Sequence, residues 1–408
     1  MTSSWITSGA TMQTGLFDTL AEQPLDPMLT LLQSLRGDPR PGKLDLGIGV
    51  YRDETGRTPV MAAVKQAERI LVDSQDSKDY VAAEGDARFL GLLAPVVLGS
   101  QRALDDRFIG LQTPGGTGAL RLALSLLARA NPEARVWMGT PTWSNHHSLA
   151  RAAGLAIQPH PFFDQATQTV EFDAMMAALE DARAGDALLL HAGCHNPTGA
   201  GFTAAQWRAI AELVARRGVV PLIDMAYQGL GHGLDEDAGP MRDLLDSVPE
   251  ALVAISCSKN FGLYRDRVGA MWTKASSPGA ARRARGNLIL SARSMWSMPP
   301  DHGAAVVRLI LESPELTTVW RAELDAMRAR INAMRAGLAA AVPQLTAIAS
   351  QQGMFSLLPI SRDDAIRLRV DHGIYMLESG RINIAGLHSS TIPAFAEALR
   401  SCFPEKGA

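Results

Sequence analysis

Cysteine is scarce in this sequence, which argues against both a disulfide scaffold and a structural metal site. The chain has only three cysteines, Cys194, Cys257 and Cys402. Their number is odd and their spacing fits no zinc-binding pattern, so neither disulfide pairing nor zinc ligation is predicted. Sparse, unpaired thiols are typical of a reducing compartment, and we therefore expect a cytoplasmic protein.

Charge imbalance and long apolar runs are lacking as well. The formal net charge is -3, whereas a protein that binds phosphate backbones needs a basic surplus on one face, so we expect no nucleic-acid partner. No apolar run approaches the roughly 18 residues that a membrane span requires. The first 35 residues contain neither lysine nor arginine, and the positive region of a signal peptide is thus missing. We expect no membrane partner.

The length of the chain predicts two domains. A chain of 408 residues exceeds the size at which a single hydrophobic core usually stops growing. Residues 56–325 alternate between helical patterns and short apolar runs, which predicts a large α/β domain with a mostly parallel sheet. Residues 13–55 and 326–408 are expected to form a smaller α+β domain. Residues 1–12 lack periodicity and are predicted to be an N-terminal arm.

Several elements can be predicted individually. The helix "TAAQWRAIAELVARRG" has Thr203 as its expected N-cap and Gly218 as its stop signal, and a long helix is expected after Pro314. The apolar runs predicted as buried strands are "RVWMG", "ALLLHAG", "GVVPLIDMA", "ALVAISCS" and "RVGAMW". The shorter strands of the C-terminal part are "GMFSLL", "GIYML" and "RINIAG".

Lys259 follows one of these buried strands, in "AISCSKNFG". Ligands of open α/β sheets bind outside the carboxyl ends of the strands. Poor hydration and neighbouring positive charge lower the pKa of a lysine toward its nucleophilic neutral form, which can form a Schiff base. The alternative is a lysine whose ammonium reaches solvent from a strand end.

Asp224 ends another apolar strand, in "PLIDMAYQG". A carboxylate in that position needs a partner, and a pyridinium nitrogen is suitable because a protonated ring is an electron sink. The alternative role for Asp224 is helix capping. Tyr227 and Asn196 follow neighbouring strands and could donate to the phenolic oxygen of the same ring.

A glycine-rich turn, "QTPGGTGAL", opens a predicted helix with Gly116 and Thr117. Its backbone N–H groups and the positive end of the helix dipole suit a phosphate. The turn matches neither the dinucleotide fingerprint nor the P-loop, and a plain tight turn is the alternative. Ser256, Ser258 and Arg267 would add hydroxyl and guanidinium donors. Lysine, aspartate, glycine turn and arginine together predict pyridoxal phosphate.

These motifs resemble the class I aminotransferases of fold type I, in the branch of the aspartate and aromatic amino acid aminotransferases. The resemblance covers all but the first dozen residues. It implies a large domain with a mostly parallel seven-stranded sheet between helices, plus a smaller α+β domain. The matching segments are "DPMLTLLQSLRGDPRPGKLDLGIGVYRDETG", "TPGGTGALR", "PTWSNH", "CHNPTG", "DMAYQG", "SCSKNFGLYRDRVG" and "SGRINIAG".

The resemblance implies a role for each matching residue. Lys259 would hold pyridoxal phosphate covalently and move the proton between the substrate α-carbon and the cofactor, while Asp224 would pair with the ring nitrogen and Tyr227 with the ring oxygen. The other cofactor contacts that it implies are Gly116, Thr117, Trp143, His146, Asn196, Ser256, Ser258, Arg267 and, from the partner subunit of a homodimer, Tyr80. The implied substrate contacts are Gly49, Trp143, Asn196, Arg293 and Arg381, with Arg381 on the α-carboxylate.

Arg293 bears on the substrate. In "LSARSMWSMPP" it matches the arginine with which this family binds a distal carboxylate across the dimer interface, although it is also one of several basic residues on its helix. Met298, Trp296 and Ala82 depart from the pattern of aspartate-selective members and make the pocket wall more apolar. The resemblance thus implies transfer of an amino group from an aromatic amino acid or aspartate to 2-oxoglutarate. A strictly aspartate-specific aminotransferase is the alternative.

Other protein classes fit the sequence less well. A nicotinamide dehydrogenase would need the dinucleotide fingerprint, and a regulator would need an added DNA-binding segment, which neither end of the sequence offers. A β-lyase or decarboxylase would share Lys259 and Asp224. A metal site at His191, His195 and Cys194 is not expected, because a turn offers too few well-directed ligands.

Overall fold

A seven-stranded sheet is the centre of the fold. The computed structural model describes residues 15–23 and 25–403, so the predicted arm at 1–12 lies outside the described residues. Within them, the strands are β1 (Leu44–Asp45), β2 (Phe108–Pro114), β3 (Arg135–Thr140), β4 (Ala156–Pro161), β5 (Phe163–Asp164), β6 (Thr169–Val170), β7 (Ala187–His191), β8 (Val220–Met225), β9 (Ala251–Ser256), β10 (Val268–Lys274), β11 (Phe355–Leu357), β12 (Ile374–Tyr375) and β13 (Arg381–Asn383).

The central sheet has the spatial order β2-β10-β9-β8-β7-β3-β4. Strand β10 is antiparallel to both of its neighbours, and the other pairs are parallel. The prediction of a mostly parallel seven-stranded α/β sheet is therefore confirmed. All five predicted strands of the large domain are present, and β7, β9 and β10 are buried along their whole length.

Helices cover both faces of the sheet. Within the described residues they are α1 (Pro27–Gly37), α2 (Ala62–Ser74), α3 (Ala87–Leu98), α4 (Gly115–Ala130), α5 (Asn145–Ala152), α6 (Phe172–Leu179), α7 (Ala204–Arg217), α8 (Leu234–Ser247), α9 (Pro278–Met295), α10 (His302–Glu312), α11 (Pro314–Ala341), α12 (Arg362–His372) and α13 (Ile392–Arg400). Short 3-10 turns occur at Leu16–Thr19, Arg102–Leu104, Pro343–Ser350 and Ile384–Gly386. None of the described helices is both long and apolar enough to cross a membrane.

Side-chain alternation along the strands divides the core into two layers. In β9, Leu252 and Ala254 belong to the cluster on one side of the sheet, whereas Val253 and Ile255 belong to the cluster on the other side. Successive side chains of a strand point to opposite faces, so one buried strand serves both layers. The predicted caps of α7 are confirmed: Thr203 accepts a hydrogen bond from the backbone of Gln206, and Gly218 ends the helix in the left-handed conformation.

The C-terminal part pairs with residues from the start of the chain. Strand β1 lies parallel to β12, and β11 lies antiparallel to β13, which agrees with a small domain built from both ends; its boundaries remain a prediction. The helix expected after Pro314 is α11, with 28 residues. Trp320 in its first half stacks on Phe261 at 4.3 Å and donates to the carbonyl of Asn260 at 2.8 Å. The long helix thus supports the turn that carries Lys259.

Candidate active site

A cavity of about 1080 Å³ opens at the carboxyl ends of the parallel strands. Most of the site residues predicted from the sequence line it together. They are Gly49, Gly116, Thr117, Trp143, Asn196, Asp224, Tyr227, Ser256, Ser258, Lys259, Arg267 and Arg381. Of the other three predicted residues, His146 lies buried behind Asp224, while Tyr80 and Arg293 are exposed outside the cavity.

One end of the cavity is built to receive an anion. Helix α4 begins at Gly115, whose φ of +69° is a conformation that favours glycine. A Cβ at that position would lie 2.6 Å from Nη2 of Arg267, so glycine also allows the arginine to approach the helix N-terminus. Nη1 of Arg267 donates to Oγ of Ser258 at 3.3 Å. A helix N-terminus, two serine hydroxyls and a guanidinium at one point suit a phosphate group.

Asp224 is buried at the end of β8 and is held by a histidine. Nε2 of His146 lies 2.9 Å from Oδ2 of Asp224, and Nδ1 of His146 lies 2.9 Å from the hydroxyl of Thr142. Burial raises the pKa of Asp224, but the His146 hydrogen bond and the charges of neighbouring groups, among them Lys259, together outweigh burial and hold the pKa below its ordinary value. Asp224 is therefore an anion that faces the cavity, rather than the helix cap considered as an alternative.

Two other buried histidines of this region, His191 and His195, are neutral. Burial lowers the pKa of His191 to about 3 and that of His195 well below its ordinary value. Ligand atoms of His146, His191 and Asp224 lie within 4.8 Å of one another, a different group from the Cys194, His191 and His195 set considered in the sequence. A metal ion bound by these three residues would compete with the hydrogen bond that Asp224 already accepts from His146.

Lys259 lines the cavity together with Asp224 and Arg267. Its Nζ lies 5.1 Å from the centroid of the Tyr227 ring. Burial and the positive charge of Arg267 lower the pKa of Lys259 and the negative charge of Asp224 raises it, with a net pKa of about 8. A substantial share of Lys259 is thus a neutral amine at mildly alkaline pH, as a nucleophile or proton carrier requires.

The pKa of Lys259 predicts a pH profile for its chemical labelling in protein free of bound ligands. Below pH 8 the ammonium is protonated and unreactive, so labelling by an amine-reactive reagent should rise through an apparent pKa of about 8, well below the ordinary lysine value. In Asp224→Asn the opposing charge is lost, and the midpoint should move lower. Peptide mass spectrometry across a pH series measures both. A midpoint near that of an ordinary lysine would contradict the prediction.

Arg381 forms the other end of the cavity. Its side chain is buried, and its partners in the described residues are neutral: the carbonyl of Gly47 at 2.7 Å and Oδ1 of Asn196 at 3.4 Å. Its Nε is buried without a hydrogen-bond partner. Burial lowers the pKa of Arg381, but an arginine stays charged. A buried guanidinium with spare donors and neutral neighbours is suited to a carboxylate ligand.

Two residues of the site were not anticipated from the sequence. Phe355 lines the cavity, with its ring 4.6 Å from Cζ of Arg381 and edge-on to Tyr227 at 5.9 Å between ring centroids. Thr142 fixes the orientation of His146. Phe355 is an apolar residue, so nothing in the sequence marks it as part of a site. Thr142 lies in the loop before Trp143, and its hydrogen bond to His146 can be recognised only from the fold.

Comparison with known proteins identifies a family. The family model "Aminotransferase class I and II" matches residues 41–399. The chain is 54% identical over 379 residues to a tyrosine aminotransferase from Rhizobium meliloti, covering 92% of this chain and 97% of that protein. It is 41% identical over 392 residues to an aspartate aminotransferase from Salmonella typhi, covering 94% and 99%. The structure of an aromatic-amino-acid aminotransferase from Burkholderia pseudomallei, covalently bound to pyridoxal phosphate, matches with a TM-score of 0.92 at 37% identity, covering 95% of this chain and all of that one.

Proposed function

The chain belongs to the class I and II aminotransferases, which depend on pyridoxal phosphate, and from that membership we propose which of its residues hold the cofactor and the substrate. Family membership removes the dehydrogenase alternative, and the similarity along more than nine-tenths of the chain to proteins named aminotransferases argues against a regulator. The observation that carries the assignment is one cavity that holds an amine of lowered pKa, a buried carboxylate anion and an anion site at a helix N-terminus.

The donor set of the cavity fits pyridoxal phosphate. Gly116, Thr117, Ser256, Ser258 and Arg267 would hold the phosphate, and Asp224 would hold a proton on the ring nitrogen. When bound, the cofactor supplies an electron sink for charge that develops at the substrate α-carbon. Trp143, whose ring meets His146 edge-on at 5.2 Å, offers a flat apolar face to the cofactor ring.

The chain's own residues carry the proton chemistry. Lys259 would bind the cofactor through its amine and, once released, take the proton from the substrate α-carbon as a general base. Tyr227 would donate to the ring oxygen, because burial raises the pKa of Tyr227 and keeps its hydroxyl protonated. Nδ2 of Asn196 lies 3.3 Å from that hydroxyl and would donate to the same oxygen. His146 keeps Asp224 oriented and ionised.

The substrate would be an amino acid held by its α-carboxylate. Arg381 is the cation for that group, with Trp143, Asn196 and the backbone of Gly49 beside it. We propose ping-pong transfer of the amino group from an aromatic amino acid or aspartate to 2-oxoglutarate, since the relatives include tyrosine and aspartate aminotransferases. Strict aspartate specificity remains the alternative function, because Arg293 suits a distal carboxylate.

We further propose a homodimer in the cytoplasm. Tyr80 is 92% exposed and Arg293 is also exposed, so neither serves the cavity of its own chain; in a dimer, each would reach the partner's site. The segment near the N-terminus exposes large apolar side chains, as an arm that packs on a second copy would. They are Leu16, Phe17, Leu20 and Leu25. The three cysteines are unpaired thiols, which supports a reducing compartment.

Substitution of Arg293 by leucine should separate the two substrate classes. Dicarboxylate substrates should lose about a hundredfold in kcat/KM, because truncating one partner of a desolvated charge pair costs a few kcal/mol. Phenylalanine and tyrosine should change by no more than about threefold, since an apolar wall accepts an apolar side chain. Arg282→Leu, on the same helix and also exposed, is the matched control. Equal losses for both substrate classes would refute the role of Arg293.

The donor itself is identified by stopped-flow absorbance of the purified holoenzyme mixed with individual amino acids. Conversion of the bound cofactor by tyrosine, phenylalanine or aspartate, and its return by 2-oxoglutarate, are expected. Conversion by aspartate and glutamate alone would favour the strictly aspartate-specific alternative. No conversion by any of these donors would overturn the proposal.

A further inference from the structure

Arg335, on helix α11, is a buried cation outside the cavity. Its side chain is 1% exposed, and its partners in the described residues are neutral. Nη2 donates to the carbonyls of Gly353 at 2.6 Å and Phe355 at 2.9 Å, and Nη1 donates to Oγ of Ser356 at 2.5 Å. Burial of a charge without a counterion is costly unless dipoles compensate for it. Here the compensating dipoles come from one short segment, residues 348–356.

The segment that Arg335 holds leads directly into the substrate end of the cavity. The Arg335 Nη1 group also reaches the carbonyl of Ile348 at 3.3 Å and Oε1 of Gln351 at 3.4 Å. Oε1 of Gln351 accepts from the hydroxyl of Ser356 at 2.7 Å, which closes the network. The guanidinium therefore fixes both ends of the turn that precedes β11.

Phe355 is the residue of this segment that faces the site. Its ring lies 4.6 Å from Cζ of Arg381. Its backbone pairs with Asn383, which follows Arg381 by two residues on β13. The same ring lies against Gly49, where an added Cβ would be 2.8 Å from the Phe355 ring. The ring is thus packed between Arg381, Tyr227 and the backbone of Gly49. A shift of Phe355 would free the guanidinium of Arg381 to move.

We propose that Arg335 is a positioning residue for substrate binding: by clamping the carbonyls of Gly353 and Phe355, it holds the Phe355 ring against Arg381 and fixes the carboxylate-binding guanidinium. The inference rests on the proposed role of Arg381. An arginine suits the task because its planar fork bonds several acceptors at once, whereas a lysine places a single point charge. A misplacement of about 1 Å can lower catalysis by about a hundredfold.

The test compares carboxylate affinity in variants of the holoenzyme. The probe is 3-phenylpropanoate, an aromatic carboxylate without an amino group, titrated by calorimetry. Arg335→Lys should weaken its binding by about tenfold while leaving the cofactor absorbance unchanged. Arg135→Lys is the matched control: Arg135 is also largely buried, but it pairs with Asp186 at the amino ends of β3 and β7, away from the cavity, and its replacement should leave the affinity unchanged.

A second readout separates positioning from general loss of structure. Tyramine is tyrosine without the α-carboxylate, so its half-reaction does not use Arg381. Arg335→Lys should slow the half-reaction of tyrosine at limiting concentration by about tenfold and leave that of tyramine unchanged. Equal slowing of both substrates would indicate a merely structural role and would overturn the inference.

Two further variants keep the inference testable if Arg335→Lys does not fold. Phe355→Leu leaves the Arg335 network intact and should weaken 3-phenylpropanoate binding to a similar degree; unchanged affinity would overturn the inference. In the double variant the two losses should not add, because both act through one ring, and additive losses would contradict the coupling. Arg381→Leu tests the underlying assignment. If its affinity is unchanged, the proposed function of Arg381 is wrong; if affinity falls in Arg381→Leu but not in Arg335→Lys, only the inference fails.

Discussion

Replacing Lys259 with alanine is expected to lower kcat for transamination by about a thousandfold or more, the largest effect of any single substitution in this chain. The amine lines the cavity, and its pKa of about 8 allows it both to accept and to return a proton near neutral pH. Without it, the substrate α-proton has no acceptor of suitable pKa, since Tyr227 stays protonated. Single-turnover kinetics with a saturating amino acid measure the loss directly.

Two variants control for charge and for the fold. Lys259→Arg keeps a cation in the cavity but cannot supply a neutral amine, so its activity should fall as far as that of the alanine variant. Lys65→Ala changes an exposed lysine that pairs with Glu68, and its activity should match the unsubstituted enzyme. Retention of more than about a tenth of kcat in Lys259→Ala would mean that another group moves the proton.

Asp224→Asn is expected to lower kcat by about a hundred- to thousandfold, while the protein folds and still binds the cofactor's phosphate. The substitution keeps the shape of the side chain and removes its negative charge. A proton on the cofactor ring nitrogen then loses its counterion, and the ring becomes a weaker electron sink. Steady-state kinetics with the best amino donor, at saturating cofactor, give the size of the effect.

A buried aspartate elsewhere in the fold provides the matched control. Asp186 directly precedes β7, at the amino end of the strand, where it accepts hydrogen bonds from Arg135 and from the indole of Trp137 at 3.0 Å. Asp186→Asn should lower the free energy of unfolding and leave kcat per folded site unchanged. Comparable losses of kcat in both variants would show that the effect of Asp224→Asn is a consequence of stability rather than of ring electronics.

The strands that could be predicted from the sequence are those buried on both faces. Continuous apolar runs identify β7, β9 and β10, since both layers of helices require apolar side chains there. Strands β2 and β4 were not predicted as strands. In β4, "AIQPHP" contains two prolines and mostly partly or fully exposed side chains, which is tolerated because the strand lies at the edge of the sheet. These residues form a strand because of their position at the edge of the sheet, which the local sequence does not reveal.

Some residues of the site could likewise be predicted from the sequence, and others could not. Lys259 and Asp224 could be predicted because each is a polar residue at or just after the end of a buried strand, where ligands of open α/β sheets bind. The turn at Gly116 could be predicted because its glycines open a helix. Phe355 and Arg335 could not, because their roles depend on contacts between segments far apart in the chain. An apolar residue in a short strand and an arginine on a long helix carry no local signal of function.

The central claim is that the amine of Lys259 holds pyridoxal phosphate covalently beside the anion of Asp224. Reduction of the holoenzyme with sodium borohydride, followed by digestion and peptide mass spectrometry, tests it most directly. The reduced pyridoxyl phosphate group is predicted on Lys259, and Lys65 and Lys274 should remain unmodified. A holoenzyme in which Lys259 is recovered without the label, or in which another lysine carries it, would contradict the account.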